Sequence, residues 1–169
     1  IPMKADGPDM EMVETQVRRP QVKGLWCVPK YSNPTGNIYS AEVVDRIARL
    51  GNQAASDFRI MWDNAYAVHD HHEDAPELTN LMELCRLHGT QDSVFLIGST
   101  SKVTLAGAGI SFLGGSKANL AHFLEQMAYW TIGPDKVNQL RHARLLPDLA
   151  ATKKHMQKHA EITRPKFEL

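Results

Sequence analysis

No stretch of the 169 residues comes near the roughly 20 consecutive apolar residues that a membrane span requires, so no membrane partner is expected. Cysteine is almost missing too. Cys27 and Cys85 are the only two, too few for a disulfide framework, and each sits in apolar sequence, as core thiols of a cytoplasmic protein do. There is no excess of either charge: 19 Lys and Arg face 19 Asp and Glu. That balance excludes recruitment of nucleic acid or a lipid surface by bulk charge. Internal repeats and low-complexity segments are absent. The opening Ile1-Pro2-Met3-Lys4 has neither the charge nor the apolar core of a signal or transit peptide. Without an initiator methionine, it suggests a trimmed chain or a fragment.

What is present suits one globular domain with a real core, since 43% of residues are hydrophobic and 22% charged. After the turn signal Asp6-Gly7-Pro8, residues 9–17 read as a short helix. Residues 22–28 are an apolar run that includes Trp26 and read as a buried strand. The loop Pro29-Lys30-Tyr31-Ser32-Asn33-Pro34-Thr35-Gly36 follows. Ser40 is a good N-cap for a helix with Val43, Val44, Ile47 and Leu50 at helical spacing, ending at Gly51. Further strands are expected at 58–63 and 93–97, and a glycine-rich one at 107–115. Helices are expected at 78–87, 118–130, 135–146 and 148–164, the last two split by Pro147. Strands alternating with helices argue for an α/β fold, a sheet covered by helices on both faces. Such sheets bind ligands beyond the carboxyl ends of their strands. Polar clusters lie at those places: Ser32 to Gly36 after the first strand, Asp63 to Tyr66 after the second, Ser99 to Lys102 after the third.

Taken singly, each cluster is ordinary. Asn33-Pro34-Thr35-Gly36 is a turn, Asp63 a strand-end carboxylate, Tyr66 a packing residue and Lys102 one lysine among many. Other dense groups carry less. His69-Asp70-His71-His72 gathers metal-ligand types, but no cysteine or distant histidine at metal-like spacing completes it. His155 and His159, at i and i+4 among Lys153, Lys154 and Lys158, read as a solvated helix face. The glycines at 107, 109, 114 and 115 form no Gly-x-Gly-x-x-Gly at the start of a helix, so no dinucleotide fingerprint is present.

Together the clusters say more. Asn-Pro-Thr-Gly, Asp-x-Ala-Tyr and Ser-x-Ser-Lys occur in that order, with 30 residues from Asn33 to Asp63 and 39 from Asp63 to Lys102. This pattern resembles the fold-type I, class I aminotransferases that depend on pyridoxal 5′-phosphate (PLP). The segments 62–70, 99–112 and 132–142 look like the divergent bacterial aspartate aminotransferases of subgroup Ic. The resemblance implies the PLP-dependent transferase large domain, with a mixed, mostly parallel sheet flanked by helices. It implies that Lys102 is the Schiff base lysine and moves the substrate proton once freed. It implies that Asp63 stabilises a protonated pyridine nitrogen and that Asn33 and Tyr66 donate to the phenolic oxygen. Ser99 and Ser101 would bind the phosphate or position Lys102. Amino acid and 2-oxo acid substrates, with aspartate or glutamate as the amino acid, and a homodimer are implied as well.

The pattern departs in one place. The family's arginine eight residues after the lysine is Ile110 here, which leaves backbone amides, Ser99, Ser101 and Lys117 as candidate phosphate ligands. The resemblance also implies that residues 1–147 are the central part of the large domain and 148–169 the start of the interdomain helix, with the N-terminal part and the small domain absent. A fragment of that kind is expected to be inactive alone and to expose a sheet edge. Two other functions share the core motifs: a PLP-binding regulatory domain of a transcription factor, without turnover, and a PLP lyase or decarboxylase.

Overall fold

The computed structural model describes residues 1–72 and 74–168. A short antiparallel pair, β1 (Met3–Lys4) and β2 (Gly7–Pro8), opens the chain and leads into α1 (Met10–Val17). β3 (Gly24–Cys27), α2 (Ala41–Ala48), β4 (Arg59–Asp63), α3 (Leu81–His88) and β5 (Val94–Ser99) then alternate. β6 (Ser111–Gly115) turns back along β5, and α4 (Lys117–Met127), α5 (Lys136–Leu145) and α6 (Leu149–Thr163) complete the chain.

Each helix begins where a short polar side chain satisfies the free N–H groups of its first turn. Asp9, Ser40, Asn80, Ser116, Asp135 and Asp148 cap α1 to α6 in turn. α3 stops at Gly89, whose φ of 70° is left-handed and lets its N–H reach the carbonyls of Cys85 and Arg86. The Asn80 cap starts this helix at Leu81 rather than at Leu78.

The sheet has the order β3-β4-β5-β6, parallel except for β6. The register places Leu25, Cys27, Ile60, Trp62, Val94 and Leu96 on one face. They pack with Val13 and Val17 of α1, Val44 and Ile47 of α2, and Leu81 and Cys85 of α3. Both thiols lie in this core, and burial pushes that of Cys27 up to about 12. Here the mixed, helix-flanked α/β sheet is as the sequence implied.

Several details differ. Trp26 is not buried: 62% of it is exposed. Strand alternation sends it to the face opposite α1 to α3, with Met61, Asp63 and Ile97, and that face is only partly covered. β5 runs on to Ser99 because Ser99 pairs with Ser111, and the glycine-rich strand begins only there, since a turn over residues 105–108 and the irregular residues 109–110 precede it. The β1–β2 pair falls in a stretch whose only sequence signal was a turn.

Candidate active site

Three loops leave the carboxyl ends of β3, β4 and β5, and every expected site residue lies on or beside one of them. In the β3 loop the Ser32 hydroxyl donates to the Val28 carbonyl, and the Gly36 N–H closes on the Ser32 carbonyl at 2.6 Å. Asn33 is exposed at the tip, joined to Pro34 by a cis peptide bond.

Asp63 is the last residue of β4, on the less covered face. Its Oδ1 accepts from the Ala65 N–H at 3.1 Å and its Oδ2 from the Trp26 indole N–H at 3.3 Å. The first of these turns the chain, and the Asn64 N–H holds the turn against the Ile97 carbonyl at 2.8 Å. Tyr66 follows, half-buried.

The β5 loop is clamped on itself. Ser101 N–H donates to Ser99 Oγ at 3.1 Å, and Ser99 Oγ–H to Ser101 Oγ at 2.9 Å. Thr100 exchanges backbone and side-chain hydrogen bonds with Ile110, each near 2.9 Å. Gly109 lies so close that an added Cβ would stand 2.5 Å from Ser101 Oγ and 2.7 Å from its backbone N. Gly109→Ala is therefore expected to destabilise the fold by about 1–3 kcal/mol through overpacking, measured by chemical denaturation. An unchanged denaturation midpoint would show that the loop has room there.

Lys102 ends this clamp with an exposed amine 5.0 Å from the centroid of the Tyr66 ring. Among the described residues it makes no ion pair. Asn33, Tyr66 and Lys102 line one cleft of about 940 Å³. Asp63, Ser99 and Ser101 are not among its lining residues; Ser99 and Ile110 line a second cleft of about 440 Å³. Lys117 is excluded as a phosphate ligand beside this loop. Because β6 runs antiparallel, its end at Gly115 lies beside Phe95, at the opposite edge of the sheet.

Histidines from both groups prove to line the cleft. His69, His71 and His72 line it, together with His159 of α6. His155 and His159 are not a solvated face. His155 Nε2–H donates to the Val103 carbonyl at 2.7 Å, beside buried Met156 and Ala160, while Lys153, Lys154 and Lys158 take the exposed side. The i, i+4 spacing was the visible signal, but the loop that it packs against lies some fifty residues upstream. Among the described residues no group of three or more His, Cys, Asp or Glu side chains is arranged to hold a metal ion.

Burial holds the His69 imidazole below the ordinary histidine range, although its hydrogen bond at the Lys102 carbonyl pulls the other way. Lys30, itself buried, forms an ion pair with Asp70 at 2.6 Å, and the Tyr31 hydroxyl donates to the same carboxylate at 2.7 Å. Burial first, and then the Asp70 charge, raise the Tyr31 hydroxyl well above the usual tyrosine range.

The family described as aspartate amino-transferase matches residues 1–169. An aspartate aminotransferase of Corynebacterium glutamicum is 45% identical over 167 residues, 99% of this chain and 38% of its own length. A Mycolicibacterium smegmatis chain that bears an aminotransferase name is 46% identical over 170 residues, 100% of this chain and 40% of its own. Thus the chain spans about two fifths of the length of these curated relatives. Among solved structures, an aspartate transaminase from C. glutamicum superposes with a TM-score of 0.94 at 45% identity, over 99% of this chain and 39% of that one. The kynurenine aminotransferase of Pyrococcus horikoshii, at 18% identity, shares the fold with a TM-score of 0.79 over 98% of this chain and 40% of its own. With a family match over its whole length and the three loops in place, the chain belongs to the aspartate amino-transferase family.

Proposed function

We propose that residues 1–147 are the central, cofactor-holding part of the large domain of a PLP-dependent aminotransferase, and that α6 begins the helix leading to a second domain. The observation that carries this reading is one cleft lined by Asn33, Tyr66 and Lys102 from three successive loops, with Asp63 at the end of the strand between two of them. The donor set fits the cofactor. An aldehyde calls for an amine, and that of Lys102 is exposed in the cleft. A phenolic oxygen calls for donors, and the Asn33 amide and Tyr66 hydroxyl make no hydrogen bonds with other described residues. A ring nitrogen that must stay protonated calls for a fixed carboxylate, which Asp63 supplies.

When bound, PLP supplies the electron sink for amino-group transfer. The chain's own groups do the rest. With PLP bound, the Lys102 amine would anchor it and, once free, would serve as the base for the substrate Cα proton. Asn33 and Tyr66 would orient the ring's phenolic edge, and Ser99, Ser101 and the loop amides would hold the phosphate in place of the arginine that Ile110 replaces. The likeness to the C. glutamicum aspartate aminotransferase supports aspartate as amino donor, and glutamate as an alternative donor and a 2-oxo acid as acceptor complete the proposed reaction. A homodimer fits the exposed Tyr129, Trp130, Ile132 and Leu140 between and along α4 and α5. Two free buried thiols suit a cytoplasmic setting, and no helix among the described residues is long and apolar enough to cross a membrane.

Trapping tests this reading. The complete protein is mixed with PLP, reduced with borohydride, digested and mapped by mass spectrometry. Selective modification of Lys102, absent from the Lys102→Ala variant, is expected. Label spread over surface lysines, or none, would overturn it.

A further inference from the structure

His69 has two ring nitrogens in opposite situations. Nε2 lies 3.1 Å from the Lys102 carbonyl oxygen. A carbonyl only accepts, so Nε2 carries the proton and donates it. Nδ1 is then a bare acceptor, and it is buried with no hydrogen-bond partner among the described residues. Nε2 is therefore the nitrogen through which the ring makes its hydrogen bond.

The surroundings place that nitrogen in the Lys102 geometry. The His69 ring stands edge-on to the Tyr66 ring at 5.6 Å, and the Lys102 amine lies over the same Tyr66 ring. His69, Tyr66 and Lys102 therefore close a triangle, with the lysine's main chain held on one side and its amine steered on the other. The next two residues fix the third corner. Asp70 is bound by buried Lys30 at 2.6 Å and by Tyr31 at 2.7 Å, both from the loop that carries Asn33. The His71 carbonyl accepts from Arg164, and its imidazole meets the Thr163 hydroxyl at 3.1 Å, at the end of α6. Three consecutive side chains thus reach three separate walls of one cleft.

We propose that His69 is a positioning residue for Lys102, with its Nε2–H holding the lysine's carbonyl while Asp70 and His71 brace the same loop against the Asn33 loop and α6. This rests on the reading of Lys102 as the cofactor's anchor. His69→Gln keeps an N–H at a similar reach, whereas His69→Leu keeps bulk and loses the donor.

The test uses the complete protein loaded with PLP. His69→Leu is expected to lower kcat roughly 10- to 100-fold, the scale of a slightly misplaced reacting group, with a much smaller change in KM, and to slow borohydride-trapped labelling at Lys102. His69→Gln is expected to restore most of both. Equal kcat in wild type and His69→Leu, or equal loss in the two variants, overturns the proposal. Wild-type labelling at a lysine other than Lys102 overturns it together with the anchor reading, whereas Lys102 labelling that is indifferent to His69→Leu overturns it alone. Should His69→Leu not fold, 15N NMR of the wild-type imidazole decides: a protonated Nε2 supports the proposal, and a protonated Nδ1 with a bare Nε2 overturns it.

Discussion

Lys102→Ala in the complete protein is expected to remove transamination by at least the roughly 10²–10⁴-fold that a positioned acid–base group contributes, and by more because the covalent anchor goes with it. The structure separates this loss from unfolding. The amine is exposed and, among the described residues, joins no ion pair, so its removal leaves no buried charge unpaired. The loop before it is held by Ser99, Thr100, Ile110 and Gly109, not by the lysine side chain. The melting temperature should therefore match that of the wild type while turnover disappears, and the His69 contact, which is to the Lys102 backbone, survives the substitution. Turnover at the wild-type rate would remove Lys102 from the chemistry.

Asp63→Asn should be nearly as damaging, by roughly 10²–10³-fold in kcat, the cost of losing one preorganised electrostatic partner. The carboxylate is pinned by two N–H donors, one from its own turn at Ala65 and one from Trp26 on the neighbouring strand. Asparagine retains one oxygen and the side chain's shape, so Ala65 keeps its acceptor and the turn survives. What goes is the negative charge that a protonated ring nitrogen requires. Steady-state kinetics beside a denaturation curve would check this: a large fall in kcat with little change in stability is expected. An asparagine variant within about threefold of wild type would assign Asp63 to the turn alone.

Local signals made much of this molecule legible. Ser40 announced its helix because capping is chemistry between near neighbours in the chain, and the helix starts read at 9, 135 and 148 fall on the residues that cap α1, α5 and α6. The polar clusters after β3, β4 and β5 were legible because a parallel sheet gathers its strand ends at one edge. What stayed hidden depended on distant partners. Trp26 looked like core because apolarity does not tell which face of a strand its neighbours will cover. His155 and His159 looked solvated because their partner, the loop at Val103, is remote in sequence. The run at His69 resembled an unfinished metal site, and only its contacts with Lys102, Lys30, Tyr31 and Thr163 gave it a place in the cleft. Lys117 was misplaced because the reversal of β6 is a matter of topology, not composition.

That topology has a kinetic corollary. Along the described sheet the order of strands is the order of the chain, so β4, β5 and β6 each find a lateral neighbour already made as they leave the ribosome. Among the four described strands none has to be threaded between two others, and the pairing of β6 with β5 spans only the short segment between Ser99 and Ser111. For these four strands loop-closure entropy is thus met in modest instalments instead of one long-range search.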